Sequence, residues 1–232
     1  MAERVSIRAS WAGARAWGVL AWAGVHSFSL FDFLPGTRWY HQMAEDLLDA
    51  MGPTPSDHLI DLGCGTGRHA LMAGRRAGRV TGVDRSARML QRAERNRRAE
   101  GANHVQFLRG DVCAIPMLED SVSMATGFML LPVLADPRSA LEEAGRVVRP
   151  GGKVGLLVPS KALNPETAWA YCERESLHGL DRDTLIAWSR AGRGFDEPAL
   201  RTLLEGPRRR NIQILPLMEG LAYAALFTCH KG

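Results

Sequence analysis

The chain has few cysteines, almost no lysine and no long uninterrupted apolar run. Cys64, Cys113, Cys172 and Cys229 are widely scattered, with no C-x-x-C pair and no cysteine–histidine cluster at metal-ligand spacing. That scarcity excludes a disulfide scaffold and predicts reduced thiols, no metal centre and a cytoplasmic setting. The basic residues are nearly all arginine, so the net charge of +4 comes without a lysine-rich tail or an aromatic–basic repeat. Nucleic acid is therefore not the expected partner. Internal repeats and low-complexity tracts are missing too.

The nearest approach to a membrane span is Ser10 to Leu34, with Trp11, Trp17 and Trp22 followed by VHSFSLFDFL. Leu, Val and Phe each favour insertion by about 0.3–0.6 kcal/mol, whereas one central acid costs about 2.5–3.5. Asp32, His26, Ser27 and Ser29 cancel most of the apolar gain, and Arg15 stops the run from extending backwards. A span is not expected. Arg4 and Arg8 ahead of this stretch give it the outline of a signal peptide as well. Two further readings stay open: a helical cap packed on the domain, or a lid or membrane-surface helix that admits an apolar substrate.

What is present suits one α/β domain. A length of 232 residues, 46% hydrophobic and 23% charged, supports a sizeable core. The sequence is organised around HLIDLGCGTGRHA, residues 58–70. Leu59 to Leu62 is a short apolar run carrying one carboxylate, as in a buried parallel strand. Gly63, Gly65 and Gly67 follow, and a helical pattern starts at Arg68. A strand, a glycine turn and a helix N-terminus bring backbone, not side chain, up to a ligand. A dinucleotide fingerprint would place its third glycine at position 68, which is Arg68. The pattern is D-x-G-x-G-x-G instead, and its acid, Asp61, suits a cationic or amino-bearing ligand better than a pyrophosphate.

In chain order, Arg38 to Met51 reads as an amphipathic helix with Tyr40, Met43, Leu47, Leu48 and Met51 on one face, closed by Gly52-Pro53. A second strand at 80–83 ends in Asp84, placed to accept from ribose hydroxyls or to cap the next helix. That helix, 86–99, turns Ala87, Leu90 and Ala93 inward. Its arginines form a solvated face or, alternatively, a surface for an anionic membrane or nucleic acid. Strands at 105–108 and 121–126, a helix from Pro137 to Ala144, and a Pro-Gly-Gly turn into a fifth strand within 147–159 continue the alternation. Helices are expected at 165–177, 181–191 and 195–204, and a closing hairpin at 211–217 and 221–229.

The ordered set DLGCGTG, Asp84, Gly110-Asp111-Val112, the run from Gly127 to the helix near Ala140, and VVRPGGKV resembles the class I S-adenosylmethionine (SAM)-dependent methyltransferases. Within them it is closest to the ubiquinone/menaquinone-type C-methyltransferases. The resemblance covers about residues 55–160. It implies a doubly wound, mostly parallel seven-stranded sheet with a terminal antiparallel hairpin. It also implies residues 1–36 as an N-terminal cap or lid, 37–232 as the catalytic domain, and 160–210 as a substrate-side helical insertion.

SAM is the implied cofactor and S-adenosylhomocysteine (SAH) its product. A SAM site argues against export, because the cofactor is made and used inside cells. Asp61, Gly63, Cys64 and Gly65 are the expected grip on the methionine end, and Asp84 with Arg85 on the ribose. Asp111 and Val112 are assigned to the adenine, and Phe128 to the neighbourhood of the methyl group. Methyl transfer from a sulfonium requires positioning more than activation. If the acceptor must lose a proton, His26 and His41 are the candidate bases, with His178 a further one. Trp39, Tyr40 and Met129 are the candidate acceptor contacts.

His69 reads as packing. A small apolar or aromatic acceptor is the favoured substrate; phospholipid or amine N-methylation at a membrane surface and a non-catalytic SAM-binding module are the alternatives. GFMLLPV follows the fourth strand where several methyltransferases of nucleic acids and proteins carry an Asn/Asp-Pro-Pro-Tyr motif, which lowers DNA amino groups and glutamine amides as acceptors.

Overall fold

A computed structural model describes residues 34–191 and 193–231. The N-terminal segment, including His26 and most of the expected cap, lies outside the described residues. Seven strands form one sheet in the order β3-β2-β1-β4-β5-β7-β6. Their ranges are β1 His58–Leu62, β2 Arg79–Asp84, β3 Val105–Arg109, β4 Val122–Phe128, β5 Val148–Pro159, β6 Arg209–Leu217 and β7 Ala222–Cys229. β1 to β5 pair in parallel, and β7 runs antiparallel to both β5 and β6. The chain order reverses between β1 and β4, which opens a crevice at the carboxyl ends of the central strands.

Helices cover both faces. On one side lie α1 Arg38–Met51 and α2 Arg68–Gly74, with α3 Ala87–Glu100 packed over β3 and α2. On the other lie α4 Pro137–Val147 and α7 Glu197–Leu204. α5 Pro165–Arg174 and α6 Gly179–Ala191 extend the first layer beyond the sheet. α1 forms where its apolar residues recur at helical spacing, and Gly52 ends it in a left-handed turn. It buries Met43, Leu47, Leu48 and Met51 completely, each worth about 1.5–3 kcal/mol. Asp181 of α6 accepts from the Arg38 backbone N–H at 2.8 Å, and its carbonyl accepts from the Trp39 indole at 3.0 Å. One acid thus fastens the start of α1 to α6.

The strand and helix spans agree with the sequence to within a few residues, and one expected inward residue differs. Ala87, expected to face inward, is exposed. The start of α3 carries Ser86 and Met89 on the wall of a cavity, and Ala93 and Asn96 further along make the buried contact. The Arg-rich face is partly tied within its own helix, because Glu94 pairs with both Arg97 and Arg98. No helix among the described residues is long and apolar enough to cross a membrane.

Candidate functional site

A cavity of about 640 Å³ opens at the carboxyl ends of the strands, beside the point where the strand order reverses. Its floor is the glycine turn. The Cys64 N–H bonds to the Val83 carbonyl at 3.0 Å, and the Asn96 amide closes on the Thr66 carbonyl at 2.9 Å. Gly67 takes φ +79°, and a Cβ there would lie 2.5 Å from the Phe107 ring, so the entry to α2 admits only glycine. A Cβ on Gly65 would meet nothing within 4 Å, which leaves that backbone open to a ligand.

Asp84 stands at the tip of β2 on the cavity wall. One of its oxygens accepts from the Gly65 N–H at 2.9 Å, the other from the Ser86 N–H at 2.8 Å. Each keeps a further lone pair for a donor from outside. Gly63, Cys64, Gly65, Arg85, Asp111 and Val112 share this end of the wall. The loop bearing Asp111 is braced from behind: Glu143 of α4 accepts from the Ile115 N–H at 2.7 Å, and Arg146 donates to the Ile115 and Met117 carbonyls.

The opposite end of the cavity is apolar. Phe128 and Met129 close β4, and Leu130, Leu163, Ala187 and Trp188 continue the wall. Met129 is held at φ +53°, with its N–H bonded to the Leu157 carbonyl at 2.9 Å. Tyr40 reaches this wall from α1, and burial drives its phenol well above the usual range.

Several residues singled out in the sequence lie elsewhere. Asp61 is 1% exposed and sits behind the glycine turn, not on the cavity wall. Strand register sets it opposite Thr126 on β4, whose hydroxyl donates to it at 3.0 Å; its second oxygen, Oδ2, has no partner. Burial, reinforced by Asp84, pushes this carboxyl up to about 7. His41 is one residue on from Tyr40, so the helical turn swings it outward to pair with Glu45 at 3.8 Å. Trp39 stacks on Trp188 with centroids 5.2 Å apart and supports the wall from outside. His178 is exposed and away from the cavity.

His69, read from the sequence as packing, does pack, yet it also lines the cavity. Its ring stacks on Phe128, centroids 3.9 Å apart and planes 9° apart, and its Nε2 is buried without a partner. Burial holds it at about 3, so it is neutral at physiological pH. Its place two residues past the third glycine was the available signal. Trp188 and Arg193 had none, because only the tertiary fold carries them to this wall. Burial, with Asp61 and Asp84 nearby, raises the Cys64 thiol and leaves it unreactive.

Residues 59–152 match the family model described as a methyltransferase domain. The chain is 27% identical over 181 residues to a demethylmenaquinone methyltransferase of Clavibacter sepedonicus, covering 68% of this chain and 73% of that one. It is 36% identical over 131 residues to a ubiquinone/menaquinone biosynthesis C-methyltransferase of Paracoccus denitrificans, covering 54% and 51%. Among solved structures, one titled a putative S-adenosyl-L-methionine-dependent methyltransferase from Methanococcus maripaludis shares the fold. Its TM-score is 0.67 at 16% identity, over 88% of this chain and 93% of that one. The chain spans about half the length, or less, of most curated relatives it matches, from 27% to 52% in all but the Clavibacter protein.

Proposed function

We propose that this chain, a class I SAM-dependent methyltransferase by its domain match and fold, methylates a small acceptor with an apolar or aromatic body by in-line displacement. One observation carries the reading. A single cavity joins a polar end, made by the glycine turn with Asp84 and Asp111, to an apolar end made by Phe128, Met129, Leu163 and Trp188. A charged nucleoside and an apolar acceptor would each find complementary surface and meet between them.

In this arrangement the open backbone at Gly65, with the turn from Gly63 leading to it, receives the methionine end, Asp84 the ribose hydroxyls, and Asp111 the adenine amino group. Val112 and Arg85 flank them. Asp61 acts from behind, through the loop. Phe128, held flat by His69, lies where the two ligands meet. The bound sulfonium supplies an already activated methyl group, so holding two reactants in line is the main task, and that can supply about 7–11 kcal/mol. Tyr40 and Met129 bound the acceptor, with Trp39 behind them. His69, neutral and on the wall, is better placed than His41 to accept a hydrogen bond from it, while the burial that keeps its ring neutral leaves it a poor proton acceptor. Residues 1–36 serve as the lid, a role supported by Leu34, which lines the cavity.

The test is calorimetry with SAM and SAH, followed by a screen of acceptors for SAH release. Micromolar or tighter binding, weakened about a hundredfold in Asp84→Ala, is expected. No association with either nucleoside overturns the reading. Deleting residues 1–33 is expected to abolish turnover while SAH affinity stays within several-fold; unchanged turnover removes the lid.

A further inference from the structure

The apolar end of the cavity has one fixed positive charge. Phe195 pairs with the end of β5: its N–H donates to the Pro159 carbonyl at 2.9 Å, and its carbonyl accepts from the Lys161 N–H at 2.9 Å. Gly194 lies so close beneath this bridge that a Cβ would fall 2.2 Å from the Ser160 carbonyl oxygen. Only glycine lets the backbone lie there, and it sets the neighbouring Arg193 on the cavity wall.

The nearest acid in sequence is not available to Arg193. Asp196 accepts from the Lys161 ammonium at 2.5 Å with one oxygen and from the Ala199 N–H at 2.8 Å with the other. Arg193 is itself exposed, and the cavity that it lines is also lined by Leu163, Ala187, Trp188 and Thr184. The Thr184 hydroxyl already donates to the Leu180 carbonyl at 2.6 Å. The carboxylates on the cavity, Asp84 and Asp111, stand at its other end, and Arg68 there pairs with Glu100 at 3.2 Å. Among the described residues Arg193 has no ion-pair partner, on a wall that is otherwise uncharged.

We infer that the acceptor is an amphiphilic anion, with an apolar or aromatic body along Leu163, Ala187 and Trp188 and a carboxylate or phosphate terminus on Arg193. A guanidinium fork matches either group by two parallel hydrogen bonds, and an anchored backbone lowers the ordering cost of forming them. This acceptor class presupposes the methyl-transfer reading, so SAH binding is measured first and by itself.

The probes are decanoate, decyl phosphate and the neutral decanol, titrated into SAH-saturated protein by calorimetry, for the wild type and Arg193→Gln. At least one anion is expected to bind about ten- to a hundredfold more tightly than decanol. Which of the two does so distinguishes a carboxylate from a phosphate terminus. In Arg193→Gln the gap closes, while decanol and SAH affinities stay within twofold. Equal affinity for anions and decanol in the wild type, a gap that survives in the variant, or no binding of any probe overturns the inference. Failure of SAH to bind strikes instead at the methyltransferase reading beneath it.

Discussion

Asp61 and His69 are buried titratable groups, each with an unpartnered atom, and their effects on stability oppose each other. Asp61 is raised from 3.8 to about 7, so the folded state holds its proton more tightly than the unfolded chain does. Its contribution is greatest at low pH and is lost as pH rises from about 4 to 7. At about 1.36 kcal/mol per pH unit, the loss amounts to about 4 kcal/mol. His69 is lowered from 6.5 to about 3, so the unfolded chain takes up a proton first. Its contribution is full above 6.5 and is lost as pH falls, by about 3 kcal/mol between pH 6.5 and 4.

In the wild type the two slopes nearly cancel across that window, and single substitutions expose them. Asp61→Asn keeps an oxygen for Thr126 but sets an amide N–H₂ where an unpartnered oxygen was, a pH-independent cost of about 1–3 kcal/mol. His69→Phe keeps the stack on Phe128. Urea unfolding followed by circular dichroism from pH 4 to 8 reads the difference from wild type. That difference rises by about 4 kcal/mol for Asp61→Asn and falls by about 3 for His69→Phe. In melting temperature each kilocalorie is about 2–4 °C for a chain of this size. If both difference curves are flat, the two groups titrate alike in the folded and unfolded chain, and the buried pair has been misread.

Gly67→Ala forces a side chain into a left-handed conformation against Phe107 and Ala93, and a loss of about 2–4 kcal/mol in chemical denaturation is expected. Glu143→Ala removes the acceptor of the Ile115 N–H and frees Arg146, so SAH affinity should fall several-fold through the Asp111 loop, with a drop of about 2 kcal/mol in stability. Calorimetry and melting curves on the same preparation separate those two effects. Thiol labelling of the folded protein should modify Cys113, which is partly exposed, well before the buried Cys64, Cys172 and Cys229.

Most of the fold was legible because its signals are local. Helix α1 shows its apolar stripe and β1 ends in a glycine run, whereas Pro-Gly-Gly, expected as a turn into the fifth strand, lies within β5 where its register against β4 shifts. The polar half of the cavity was legible for the same reason: each residue there lies at a strand tip beside a turn. Asp61 was the harder case, since sequence marks an acid beside the loop but not which side of the loop it occupies. That is settled by its register against Thr126 and the hydroxyl that Thr126 turns to it. The apolar half is assembled from α1, β4, β5 and α6, spanning more than a hundred positions, and no short motif announces such a wall. Ala87 shows a smaller limit of the same kind, because periodicity predicts a face but not which turns of that face are covered.

β7 is threaded between β5 and β6 although it follows both in the chain. During synthesis, therefore, β6 emerges with its eventual neighbour still inside the ribosome, and β5 waits with one edge bare. A nascent chain halted before Ala222 would carry two strands lacking the same partner. Completion of the sheet is postponed to the last strand made, a window in which an exposed edge invites pairing with another chain.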